Sequence, residues 1–117
     1  MHEKQSMPTI DMQKEINRLQ ALYREWADLQ IKLEAALSDF QRSNELMAEL
    51  SQFYFEGDYR AFNERIEQGE AVNLHTEGEY SIMSEDTLWN AYHEQSETAW
   101  AFVRSGLAVV DPANKNK

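Results

Sequence analysis

Apolar and polar positions alternate along residues 11–55 with the period of an α-helix. Ile16, Leu19, Leu22, Tyr23, Trp26, Leu29, Leu33, Ala36, Leu37, Phe40, Met47, Leu50, Phe53 and Tyr54 follow one another mostly at steps of three or four. That spacing sets one side chain per turn on a single face. Neither glycine nor proline interrupts the run from Asp11 to Phe55, so the pattern predicts one long N-terminal helix. Pro8 with Thr9 or Asp11 marks its start, and Asp11 and Glu15 lie near its positive end. Its weakest points are Ser38-Asp39 and Ser43-Asn44, types that cap helices but are tolerated inside them. Any bend is therefore expected near 38–44. Unbroken, the run would reach roughly 65 Å at ~1.5 Å per residue, against a radius of gyration of about 13–14 Å for a folded chain of this size. The stripe outruns what the remaining residues can cover, and a second chain is its expected cover.

The remaining pattern predicts shorter pieces. Phe53-Tyr54-Phe55-Glu56-Gly57-Asp58 ends the helix, with Gly57 expected in the left-handed conformation just past its last turn. Asp58 is placed to cap a short helix whose apolar positions are Tyr59, Phe62 and Ile66, and Gly69 ends it. Between Glu70 and Met83 the apolar residues are scattered among acids. This segment reads as an irregular loop that drops apolar side chains onto the helices. Val72–Leu74 and Tyr80–Ile82 are its extended candidates, and a hairpin between them would be marginal alone. Ser84-Glu85-Asp86 reads as a helix start, with a capping hydroxyl followed by two acids in the first turn. The last helix carries Leu88, Trp89, Ala91, Tyr92, Ala99, Trp100, Phe102 and Val103 broadly on one side. Arg104 falls in its last turn, Gly106 at its C-cap, and Leu107–Val110 reads as a short docked end. The fold class is all-α: a long helix, a short middle helix, a loop, and a C-terminal helix packed on the long one, in a bundle or coiled-coil-like arrangement. A single domain is expected, with residues 1–8 and 111–117 as flexible tails.

Composition narrows the function more than it names one. The 117 residues hold no cysteine, which removes disulfides and thiolate metal sites. No apolar run approaches the ~20 residues of a membrane span, and Met-His-Glu-Lys-Gln-Ser lacks the apolar core of a signal peptide. A cytoplasmic protein is the expectation. The net charge is −10, and it is uneven: 9 acids and 6 bases over residues 1–54, 12 acids and 3 bases over 55–111. Such a balance repels phosphate backbones and anionic membranes, so neither nucleic acid nor membrane is an expected partner. Along the long helix Asp28 and Lys32 have a favourable spacing of four, while Glu45 and Glu49 have an unfavourable one.

Three stretches carry a family resemblance. They are Ile16-Asn17-Arg18-Leu19-Gln20-Ala21-Leu22-Tyr23, the aromatic end Leu50-Ser51-Gln52-Phe53-Tyr54, and above all Met83-Ser84-Glu85-Asp86-Thr87-Leu88-Trp89. Over roughly residues 12–105 the chain resembles the small bacterial proteins grouped as domain of unknown function 4298. The last stretch is similar to that family's step from a hydrophobic residue through Ser-Glu-Asp into its final helix. Where the family usually has a link bearing Pro and Lys or Arg, this chain has Asn73-Leu74-His75-Thr76-Glu77-Gly78-Glu79-Tyr80. The resemblance implies an all-helical fold and supplies no activity and no catalytic residue.

Candidate chemistry is sparse. His93 and Glu97 stand four apart on the last helix and would share a metal only with a third ligand. His75, Glu77 and Glu79 alternate on a loop without the Asp/Asn-Gly pattern of a calcium site. Ser84 with Glu85 and Asp86 is explained by helix capping before acid–base chemistry. No phosphate loop or nucleophile elbow is present. No catalytic, cofactor or metal residue is therefore assigned, and no enzyme is expected. Trp26, Trp89 and Trp100 read as core or interface anchors. Two kinds of partner follow: a second copy of the chain, giving a homodimer through the long helix, or a basic protein engaged by the acidic 56–97 surface. For the latter the chain would act as an inhibitor or antidote. The candidate partner-binding residues are Glu77, Glu79, Glu85, Asp86, Trp26 and Trp89. A small metal-dependent enzyme using His93, Glu97 and the acids of 70–86 is the remaining alternative.

Overall fold

The computed structural model describes residues 9–111 and 113. The tails expected at 1–8 and 111–117, and Pro8 as the helix start, fall outside the described residues apart from Asp111 and Ala113. Three helices follow in order: α1 (Thr9–Glu56), α2 (Tyr59–Glu67) and α3 (Thr87–Val110). No strand occurs among the described residues, so the 70–83 hairpin is not formed. The chain divides into two units, Met1–Gln41 and Arg42–Lys117.

In the first unit the described residues are all helix, the part of α1 up to Gln41. Ser38 and Asp39 lie within α1, which has no terminus there. Local pairs support the helix on its polar side. Gln13 donates to Asn17 at 3.0 Å, and Arg18 makes a two-pronged pair with Glu15 at 3.1 and 2.7 Å. Hydrogen bonding to Arg18 holds the Glu15 carboxyl below its usual range, and the same pair raises Arg18. Such exposed pairs contribute little to stability, because solvent screens them. The favourable spacing of Asp28 and Lys32 is not used, since neither joins an ion pair among the described residues.

The second unit begins with the end of α1. Glu45 is paired with Arg42 at 3.0 Å. The helix stops at Gly57, whose N–H donates to the Phe53 carbonyl at 3.2 Å. Gly57 does not have the left-handed backbone expected of it; among the described residues only Gly69 and Gly78 have positive φ. What requires glycine there is contact, because a Cβ would lie 2.9 Å from the Phe53 Cα. Asp58 occupies the N-cap of α2 without a side-chain cap bond. α2 ends as its sequence predicts, in a Schellman motif: Gly69 at φ 99 donates to the Ile66 carbonyl and Glu70 to the Arg65 carbonyl, both at 3.0 Å. The Arg65 side chain returns to Glu70 with a two-pronged pair at 2.8 and 2.5 Å, which lowers the Glu70 carboxyl through hydrogen bonding.

The loop from 70 to 86 is a string of turns. The Asn73 side chain accepts from the His75 N–H at 2.9 Å. Glu79 donates to the Thr76 carbonyl across a turn whose third residue, Gly78, has φ 78. Ser81 follows with two bonds, its hydroxyl accepting from Met83 N–H and its carbonyl from Ser84 N–H, each at 3.1 Å.

α3 starts at Thr87, with Asp86 rather than the predicted Ser84 in the N-cap place, two residues later, and no side-chain cap bond. The reason is visible in the turns. The Ser84 carbonyl accepts from Thr87 N–H at 3.3 Å, so residues 84–87 form a turn before the helix begins. The helix then passes through Gly106 and runs to Val110. Gly106 is not its cap, and the expected docked end at Leu107–Val110 is helical, with Val109 and Val110 exposed. α3 turns Leu88, Ala91, Gln95 and Ala99 inward at helical steps. Its packing against the end of α1 is marked by Phe55, which meets Tyr92 at 5.1 Å and Trp89 at 6.4 Å between ring centres. Gln95 donates to Ser43 Oγ at 3.0 Å and to Asn44 Oδ1 at 2.6 Å. Ser43 and Asn44 thus fix the register of two helices rather than break one. On another side of α1, Phe53 packs on Tyr59 and Phe62, and Tyr54 on Tyr59. Among the described residues only Leu88, at 4% exposure, is buried.

Candidate functional site

The first unit presents its apolar stripe to solvent. Ile16, Leu19, Leu22, Tyr23, Trp26, Leu29, Leu33 and Leu37 are 47–61% exposed. Their unit offers no second described element to lie against them. A stripe of this length is not the scatter of single apolar residues that every surface carries. Tyr23 stacks on Trp26 at 6.0 Å between ring centres, three residues apart on the helix, giving the stripe a flat aromatic patch near its middle. Ile31, 69% exposed, lies off the stripe.

In the second unit the other sequence candidates lie near the loop. Glu77 is exposed and faces His75 at 3.7 Å. Glu79 borders an open groove of about 800 Å³ whose apolar wall is Leu46, Leu50, Phe53, Phe62, Ile82 and Met83. Glu85 and Asp86 are exposed and near Tyr59. Burial first, then the neighbouring Tyr54 and these two carboxylates, push the Tyr59 hydroxyl above its ordinary pKa. That hydroxyl donates to the Met83 carbonyl at 3.2 Å. Trp89 is half exposed, touching Phe55 and, at 4.4 Å, the His93 ring. Trp26 belongs to the first unit and is described there. Trp100, expected against the long helix, is 59% exposed. Two residues that organise this unit, Gln95 and Gly57, carried no functional signal in the sequence.

No group of three or more His, Asp or Glu among the described residues is arranged to hold a metal ion. His93 has aromatic neighbours, Trp89 and Tyr92. No described helix is long and apolar enough to cross a membrane.

The model of domain of unknown function DUF4298 matches residues 16–105. The chain belongs to the DUF4298 family. The DUF4298 match opens at Ile16, on the exposed stripe of α1, and closes at Ser105, on α3. It spans the 73–80 link. No curated protein and no solved structure matched the chain.

Proposed function

We propose that the chain is a non-enzymatic protein–protein interaction module of the cytoplasm that self-associates through the stripe of α1 between residues 12 and 40. The supporting observation is the exposure of that stripe, with Trp26 and Tyr23 at its middle. Helices in proteins draw most of their stability from packing an amphipathic face, not from propensity. Here the face exists, and among the described residues its own unit holds no second element to cover residues 16–37. Residues 12–40 also hold no proline or glycine that would let the segment fold back and cover itself. Burying a Leu-sized side chain contributes about 1.5–3 kcal/mol when complete. Eight half-exposed side chains on each of two copies therefore supply a driving force comparable with the roughly 4–15 kcal/mol that association costs. Light scattering at micromolar concentration tests the reading. A particle of twice the chain mass is expected, and a strict monomer over that range would overturn it.

A further inference from the structure

The exposed stripe has two unlike edges. Met12, Leu19, Trp26 and Leu33 recur every seven residues, with Leu22, Leu29 and Ala36 three places further on. This is the a and d pattern of a heptad repeat. On one flank, the residues just before Met12, Leu19, Trp26, Leu33 and Phe40 are Asp11, Arg18, Glu25, Lys32 and Asp39. All are charged and the sign alternates. On the other flank, four places after each a, stand Ile16, Tyr23, Gln30 and Leu37, which carry no charge. Glu25, Lys32 and Asp39 have no ion-pair partner among the described residues, while Arg18 is held by Glu15.

We propose that residues 16–39 pair with the same segment of a second copy of the chain, antiparallel, in the register that sets Glu25 against Lys32 of the second copy and Trp26 against its Leu29. The inference rests on the self-association proposed above and adds orientation and register to it. A parallel pair sets the charged flank of one helix against the uncharged flank of the other, leaving Lys32 facing Leu37 and Arg18 facing Tyr23. An antiparallel pair sets charged flank on charged flank and uncharged on uncharged. Alternation of sign then chooses the register. With Glu25 opposite Lys32, Arg18 falls opposite Asp39, and every facing pair is of opposite sign. A slip of one heptad in either direction sets Glu25 opposite Glu25 or Lys32 opposite Lys32, and like charges face each other throughout. Such repulsion is how an interface rejects its own near-misses. The favoured register also fills the seam: Trp26 meets Leu29, Leu33 meets Leu22, and Leu19 meets the small Ala36. On the uncharged edge Ile16 meets Leu37.

The chain has no cysteine, so one introduced cysteine carries a spin label at a single place. Asn17, Arg24, Ile31 and Ser38 all lie on the side of the helix opposite the seam. At ~1.5 Å per residue, the proposed register offsets the two labels along the axis by about 31 Å at Asn17 and at Ser38, and by about 10 Å at Arg24 and at Ile31. Measured by electron–electron dipolar spectroscopy on the dimer, Asn17→Cys and Ser38→Cys should give equal long distances, and Arg24→Cys and Ile31→Cys equal shorter ones. Four equal distances would mean a parallel pair and overturn the proposal. Unequal distances at Asn17 and Ser38 would mean another register and overturn it as well. In both cases the self-association itself would stand, whereas a monomer would sink both. Charge reversal gives a second readout. Lys32→Glu should weaken the dimer about tenfold, by turning two attractive contacts into two repulsive ones. Adding Glu25→Lys to Lys32→Glu should restore the wild-type constant. A double variant as weak as or weaker than the single one would show that these residues do not face each other.

Discussion

Replacing Trp26 with alanine tests the interface at its centre. The indole is 55% exposed and takes part in one ring contact, with Tyr23. Of the roughly 250 Å² that a tryptophan can bury, a little over half is open, and at ~25 cal/mol per Å² its removal from water is worth about 3 kcal/mol. Ordering a side chain on association costs about 0.5–1.5 kcal/mol, so each copy of Trp26 contributes about 2 kcal/mol net. A two-fold dimer loses two copies at once, about 4 kcal/mol, or about a thousandfold in the dissociation constant. The variant's helix content at dissociating concentrations should be nearly unchanged, because alanine is the better helix former. Ile31→Ala is the control: Ile31 is more exposed but lies off the stripe, and its replacement should leave association where it was. Sedimentation equilibrium of the three chains reads all of this. A dimer as tight in Trp26→Ala as in the wild type, or one loosened equally by Ile31→Ala, would refute the assignment of the stripe.

Other predictions concern the second unit. Leu88→Ala should destabilise it by about 2–5 kcal/mol in denaturant unfolding, as for a buried leucine, whereas Trp100→Ala should cost less than about 1 kcal/mol, since that ring is exposed. A large loss at Trp100 would mean that something covers it and would make it an interface residue. Gly106→Ala should stabilise by about 0.5–1 kcal/mol, because the glycine is mid-helix with open space around it. Gly57→Ala should destabilise by about 1–3 kcal/mol, because its Cβ would press on the Phe53 backbone; the same thermal-melt series measures both. Tyr59 should ionise above its ordinary value in an NMR titration, and Glu85→Gln with Asp86→Asn should bring the midpoint down in part. Since the folded pKa is the raised one, this tyrosine's contribution to stability is complete below the unfolded value of about 10 and fades as pH rises through the folded value.

Much of the fold was legible because it rests on local rules. An uninterrupted apolar period with no glycine or proline made α1 readable. Gly69 made the end of α2 readable, because a left-handed residue is what a Schellman motif needs. The misreadings lie where a local signal had two meanings. Gly57 does end α1 as read, but without the left-handed backbone and because a Cβ there would press on Phe53, whereas Gly106, read as a C-cap, lies inside α3 beside open space. Ser84 resembles a cap, but its N–H donates to the Ser81 carbonyl and its carbonyl accepts from Thr87 N–H, which places it in two turns. Ser43 and Asn44 were read as weak points, and only the partner Gln95, some fifty residues away, gives them a role. The exposed stripe was legible as an excess of apolar length. The alternation of charge on its flank was also in the sequence, and it acquired meaning once the stripe was seen to lack a cover within its own unit.

The most direct test of the account is amide hydrogen exchange of the wild-type chain over a range of concentrations, read segment by segment. If the stripe of α1 is where copies meet, protection of residues 16–39 should rise steeply with concentration as dimers form, while protection in α2 and the first turns of α3 stays constant. Protection of residues 16–39 that does not change from nanomolar to high micromolar concentration, in a chain that scatters as a monomer throughout, would contradict it.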